Sequence, residues 1–195
     1  PSLVMIKNLG QTEEWVVGAN AGDLDFNKYA YLNLTNAFST NAAAFFNNTN
    51  PSSSLIYIGN SGTVNGGASY EHIAYCFANI KGYSKIGYYV GNQNADGPFL
   101  YTGFKPAFIL SKKKDGASDW YIFDSKREGY NIDNDTLLAN QTNAESTTDY
   151  LDIFSNGYKV RTTDGDLNTN NGRYVYLAFA EAPLVGSNNV PANAR

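Results

Sequence analysis

Short apolar runs alternate along the chain with longer polar stretches, and no helical apolar period persists over a useful length. Residues 3–6 (Leu-Val-Met-Ile) and 15–17 (Trp-Val-Val) predict one strand pair, joined by a polar loop at 8–14. Residues 108–110 and 120–123 predict a second pair around residues 112–119. Four apolar residues in a row predict a strand covered on both faces, as in the core of a sandwich. Residues 28–34 alternate and predict a further strand. The Asn/Ser/Thr/Ala tract at 35–54 and its counterpart at 139–148 are too polar to bury and predict surface loops. Phe45 and Phe46 interrupt the first tract, as a cap on the core or an interface. Residues 55–58 and 73–78 predict a hairpin through a turn at 59–67. Residues 157–161 and 174–180 predict another through 164–172, with Asn65-Gly66 and Asn171-Gly172 supplying positive φ. Residues 82–91 and 97–104 predict one more hairpin.

The pattern occurs twice. Pro1 and Pro106 open matching segments, and Trp15 and Trp120 follow them at the same offset of 105 residues. Thr35-Asn36-Ala37-Phe38-Ser39-Thr40 returns as Thr142-Asn143-Ala144-Glu145-Ser146-Thr147, and Ala74-Tyr75-Cys76-Phe77-Ala78-Asn79 as Tyr176-Leu177-Ala178-Phe179-Ala180-Glu181. Three ordered blocks at nearly one offset indicate tandem duplication, with drift from loop insertions. The period is too long for a solenoid, whose repeats run to about 20–50 residues. The expected organisation is pseudo-repeat one at 1–81, a linking hairpin at 82–105, pseudo-repeat two at 106–182 and an extended tail at 183–195. A counterpart of the linking hairpin is expected ahead of Pro1, within a longer polypeptide.

Composition sharpens the fold class. Fifteen tyrosines, eleven phenylalanines, many Asn and Gly and only 16% charged residues suit strands joined by turns. The expectation is an all-β fold: an antiparallel β-sandwich, jelly-roll or lectin-like, built from two tandem pseudo-repeats. A net charge of −4 gives no electrostatic support for a nucleic-acid partner. The basic run Lys112-Lys113-Lys114 reads as a solvated loop end. No apolar run approaches the ~20 residues of a membrane span. Cys76 stands alone, so no internal disulfide is expected, and its apolar strand marks it as a buried small hydrophobe.

Candidate chemistry is sparse. His72 is the one histidine, at a strand end with no Gly-x-Ser-x-Gly elbow elsewhere, and a zinc site lacks ligands. The calcium candidates are Asp23, Asp25 and Asn27, then Asp164, Asp166 and Asn168, with Asp133-Asn134-Asp135 weaker. Each set places oxygens at alternate positions without the closing Glu of a cation loop, and the same residues are ordinary turn formers. Asp124, Asp149, Asp152 and Glu181 are available to a glycosidase, but no spacing singles out a pair. The surplus of Tyr, Trp and Asn suits sugar binding. No catalytic residue is assigned, and no cofactor beyond candidate Ca2+.

Several blocks stand in a recognisable order: Gly82-Tyr83-Ser84-Lys85-Ile86-Gly87, Asp96-Gly97-Pro98-Phe99 with Tyr101-Thr102-Gly103-Phe104-Lys105-Pro106, and Asp119-Trp120-Tyr121 with Asp124-Ser125-Lys126-Arg127. Ser155-Asn156-Gly157-Tyr158-Lys159-Val160-Arg161 and Ala178-Phe179-Ala180-Glu181-Ala182-Pro183 complete the set. Together they resemble an uncharacterised domain family of tail and other virion proteins of marine bacteriophages. The resemblance implies a structural role outside the cell, in a tail fibre, spike or other appendage. It assigns no catalytic residue, and the expectation for such an appendage is self-association, as a trimer, contact with other virion proteins and with host-surface glycans, and no enzymatic activity. The alternatives are a polysaccharide-degrading tail enzyme and a capsid decoration protein.

Overall fold

Where the apolar run is unbroken, the strand lies inside a sheet. In a computed structural model of the chain, which describes residues 1–67, 70–127 and 135–182, β1 (Leu3–Asn8) pairs antiparallel with β2 (Val16–Ala21) and with β4 (His72–Phe77). With β3 (Leu24–Tyr31) these form a four-stranded sheet ordered β3-β2-β1-β4. Residues 3–6 are all buried, as a strand with a partner on each side and cover on each face requires.

The second sheet has five strands, ordered β5-β12-β7-β8-β9, from β5 (Ser84–Val90), β12 (Arg173–Ala180), β7 (Pro106–Lys113), β8 (Trp120–Asp124) and β9 (Thr136–Leu138). A third, small sheet is ordered β10-β11-β6, from β10 (Leu151–Phe154), β11 (Gly157–Val160) and β6 (Phe99–Tyr101). All described pairings are antiparallel. The helices are single turns: α1 (Ala43–Phe46), α2 (Gly62–Asn65) and α3 (Gly165–Asn168). The fold is all-β with several antiparallel sheets. Among the described residues no helix is long and apolar enough to cross a membrane.

Strand alternation sorts the apolar side chains into layers. Leu3, Met5 and Val17 of the first sheet share a core with Ile86, Leu110, Trp120, Val175 and Leu177 of the second. The opposite face of the second sheet, with Ile109, Phe123, Tyr174 and Tyr176, packs on Leu100, Leu151, Ile153 and Tyr158 of the small sheet. The opposite face of the first sheet, with Val4, Ile6 and Val16, lies under Phe45 and Phe46 of α1. The aromatic pair therefore caps the core, and Phe46 meets Phe26 edge-on at 5.3 Å.

Residues that the sequence pattern sets side by side make similar bonds. Trp15 N donates to Asn33 Oδ1 at 3.0 Å, and Trp120 N to Asn140 Oδ1 at 2.7 Å. Leu32 N and Ala139 N donate to the carbonyls of Trp15 and Trp120, each at 2.9 Å. Isolated bridges join Tyr29 to Ser39 and Thr136 to Ser146. The orders β3-β2-β1-β4 and β9-β8-β7-β12 run in the same sense along the chain.

Several expectations are overturned. Residues 55–58 form no strand and no hairpin with 73–78, because β4 pairs with β1; Leu55 and Ile58 are exposed instead. β12 likewise takes β5 and β7 as partners, and β11 takes β6 and β10. β5 and β6 belong to different sheets, so residues 82–104 are a crossover and not a hairpin. At Asn65-Gly66 the chain ends a helical turn with Gly66 at φ −74, and the positive φ falls on Gly67; Asn171 has the expected left-handed value of +60. Lys112 is fully buried and Lys114 nearly so. Local charge density hid this, because their partners are distant: Lys112 Nζ donates to the carbonyls of Thr35 and Ser118, and Lys114 Nζ reaches Asp23 at 2.6 Å. Cys76 is exposed, since the strand that carries it is an edge. The expected tail at 183–195 lies outside the described residues.

Candidate functional site

The outward face of the small sheet carries more exposed aromatic surface than the core requires. On β6 the inward Leu100 is buried while Phe99 is 47% and Tyr101 66% exposed. Period-two alternation places Gly157 and Lys159 of β11 and Asp152 and Phe154 of β10 on that face, because Tyr158, Val160, Leu151 and Ile153 fill the core. Register lines these residues up in two rows across the sheet. One is Phe99, Lys159, Asp152 and the other Tyr101, Gly157, Phe154.

Gly157 shapes the second row. A Cβ there would collide with the carbonyl oxygen of Leu100 and stand 3.0 Å from Phe99 Cζ. The glycine thus permits β6 and the Phe99 ring to approach between Tyr101 and Phe154. Phe99 and Phe154 meet edge-on at 5.8 Å, which fixes both rings. Beside them runs an ionic chain: Lys159 Nζ lies 2.5 Å from Asp96, and Arg161 reaches Asp96 at 3.1 Å and Asp152 at 2.5 Å. The hydrogen bond from Lys159 holds the Asp96 carboxyl below its ordinary range, so this rim stays ionised at neutral pH.

The face is held from behind by Asn168. Its side chain is fully buried, and Nδ2 donates to Asn92 Oδ1 at 3.1 Å, the Asn94 carbonyl at 2.8 Å and the Thr162 carbonyl at 2.7 Å. Asn92 N donates back to Oδ1 at 2.8 Å. The loop leading to β6 is thereby locked to the end of α3. Asn168 was a calcium candidate from spacing alone; its amide is spent on positioning a strand.

The other candidates fall as follows. Asp164 caps α3 by accepting from Asp166 N at 2.7 Å. Burial, with Asp164 and Asp119 nearby, pushes the Asp166 carboxyl up. Asp23 accepts from Lys114, whose hydrogen bond pulls its carboxyl down, and it also lies near Lys28 at 3.8 Å and Arg173 at 3.6 Å. Asp25 and Asn27 are exposed on β3, joined only by a 3.4 Å bond from Asp25 N to Asn27 Oδ1. Of the weakest set, Asp133 and Asn134 lie outside the described residues and Asp135 is buried. Among the described residues no group of three or more His, Cys, Asp or Glu is arranged to hold a metal. His72 Nδ1 lies 3.1 Å from the Tyr70 carbonyl, with no acid or hydroxyl bonded to it. Asp124 pairs with Arg127, Asp152 with Arg161, and Glu181 with Lys105 and Lys126.

Elsewhere an open groove of about 650 Å³, lined by Asn41, Asn47, Asn60, Ala43, Ala44 and Ile58, lies against α1. It has amides but no aromatic wall. Sequence reasoning named neither surface. For the sheet, the signal was present in Phe99-x-Tyr101 and Gly157-x-Lys159, apolar and polar positions that share one parity.

The geometry defines an all-β domain with layered antiparallel sheets and one aromatic, ion-rimmed face. The chain belongs to the DUF7483 family, a domain of unknown function, whose model matches residues 1–183. No curated protein and no solved structure matches it.

Proposed function

We propose that the domain is a non-catalytic contact module of a bacteriophage appendage, a tail fibre or spike, and that it binds host-surface glycans on the outer face of β10-β11-β6. The observation that carries the glycan reading is the exposed pair Phe99 and Tyr101 on a rigid sheet, beside the ionised Asp96, Lys159 and Arg161. Sugar rings offer C–H faces to aromatic rings and hydroxyls to charged groups, so this combination suits them better than it suits an apolar ligand. The virion assignment rests on the ordered sequence blocks.

The contact role is supported by the state of the acids. Asp23, Asp96 and Glu181 are each held below the ordinary carboxylate range by lysines, whereas a general acid needs its carboxyl raised. Asp166, whose carboxyl is pushed up by burial with Asp164 and Asp119 nearby, faces Tyr121 at 3.4 Å behind the small sheet and not on the aromatic face. The architecture is read as a lectin-like sandwich of two tandem copies, for which the support is the parallel strand order and the matched Trp–Asn bonds.

Titration calorimetry with oligosaccharides from host capsule and lipopolysaccharide tests the reading. Binding is expected, with Tyr101→Ala and Phe99→Ala each weakening it by about 1–2 kcal/mol at unchanged melting temperature. Binding indifferent to both variants would move the site elsewhere. Release of reducing sugar during the titration would replace the contact role with a degrading enzyme.

A further inference from the structure

We propose that the outer edge of β4 is a self-association site, where a second copy of this chain adds its own β4 antiparallel about a twofold axis through Tyr75. Among the described residues no strand pairs with this edge. The bonds Leu9 N to Glu71 O at 2.8 Å and Ser2 N to Phe77 O at 2.6 Å turn odd-numbered backbone groups toward β1. The N–H and C=O groups of His72, Ala74 and Cys76 therefore point outward, as a ladder awaiting a partner.

The other half of the molecule shows what such an edge accepts. β12, the counterpart of β4, takes β5 on the same side, antiparallel, from Phe179↔Ser84 to Arg173↔Val90. Under that cover Leu177 is 2% and Ala178 0% exposed, whereas Tyr75 is 44% exposed and Ala74 and Cys76 are open. Edges that must stay single carry Lys, Pro or inward charges. Residues 72–77 have no charged residue and no proline.

A second copy fits on charge and shape. With Tyr75 on the axis, Ala74 faces Cys76 of the partner subunit and Glu71 faces the partner's Asn79, so no like charges meet. The outward groups of even-numbered residues fall into hydrogen-bonded register, and the two tyrosine rings lie side by side. Trp15, stacked on Tyr75 at 6.1 Å, and the exposed Ile80 and Tyr83 extend the apolar surface beyond the strand. This pairing is independent of the glycan reading.

Sedimentation velocity of the full chain from micromolar to submillimolar concentration is the test. A concentration-dependent dimer is expected, weakened at least about tenfold by Tyr75→Lys, which places a charge on the axis. Ala74→Cys keeps the edge and reports its register. With oxidised glutathione as electron acceptor, it gives a disulfide-linked dimer through Cys76 of the partner subunit, at a yield well above that of the wild type. A wild-type monomer across the range, a trimer, or a dimer indifferent to Tyr75→Lys with no gain in cross-linking by Ala74→Cys would each overturn the proposal.

Discussion

Tyr75 and Leu177 occupy corresponding places in the first two sheets: Tyr75 lies on β4 opposite Met5 of β1, and Leu177 on β12 opposite Leu110 of β7. One is nearly half exposed and the other buried. Their strands carry apolar runs of similar length, 73–78 and 174–180, with the same closing Phe-Ala step, so local pattern does not account for the difference. What differs is the neighbourhood. β12 has β5 on its outer edge and the small sheet over the face that carries Tyr174, Tyr176 and Ala178. β4 has neither. Burial of a strand is a property of the layer around it, and two copies of one pattern take opposite roles when only one is surrounded.

The sharpest way to break the comparison is to place the same charge at both positions. Leu177→Lys is expected to cost more than about 4 kcal/mol, enough to unfold the chain, whereas Tyr75→Lys changes monomer stability by no more than about 0.5 kcal/mol in urea titrations followed by circular dichroism. Equal costs would mean that β4 is covered in solution by something other than a second copy. The tryptophans come next. Trp120 is fully buried and donates its Nε1 hydrogen to the Tyr31 carbonyl at 2.8 Å, while Trp15 is half-buried against Tyr75. Trp120→Ala should cost about 3–5 kcal/mol and Trp15→Ala about 1–2 kcal/mol.

Lys112 gives a pH test. Burial pulls its pKa from the ordinary 10.5 to about 8. Between those values the folded chain has released a proton that the unfolded chain still holds, so stability rises with pH through the window. Below pH 8 both states hold the proton and the full cost of burying the ammonium is present. The wild type should therefore gain up to about 3 kcal/mol between pH 8 and 10.5, and Lys112→Met should lose that slope. Tyrosines whose pKa is raised, Tyr89, Tyr121 and Tyr158 with Tyr31, Tyr174 and Tyr176, act in the opposite sense and only above pH 10. The smallest effect is also the one that should be equal. Asn33→Ala and Asn140→Ala each remove the bond to a tryptophan N–H, and each should cost about 1 kcal/mol. A large disparity would count against two copies of one unit.

Much of the strand inventory was legible. β1, β2, β7, β8 and β12 follow their apolar runs because a buried strand needs side chains that water rejects on both faces. Residues 55–58 look equally apolar and form no strand: β4, their expected partner, pairs with β1 instead, and Leu55 and Ile58 stay exposed. The pairing of β5 and β6 with different sheets was illegible for a related reason: adjacency in sequence makes a hairpin cheap to close, but the gain from covering two separate apolar faces is larger. The aromatic face was legible only by parity. Phe99 and Tyr101 are indistinguishable from core aromatics until Leu100 between them is known to point inward.

The sequence by itself determined the class of fold and where most of its buried strands lie, because these depend on side-chain periodicity. Only the tertiary structure decided which lysine is buried, which cysteine is exposed and which strand edge stays open. Those outcomes depend on groups remote in sequence: the Thr35 carbonyl over Lys112, Asp23 against Lys114, and a fifth strand that, among the described residues, stands beside β12 and not beside β4.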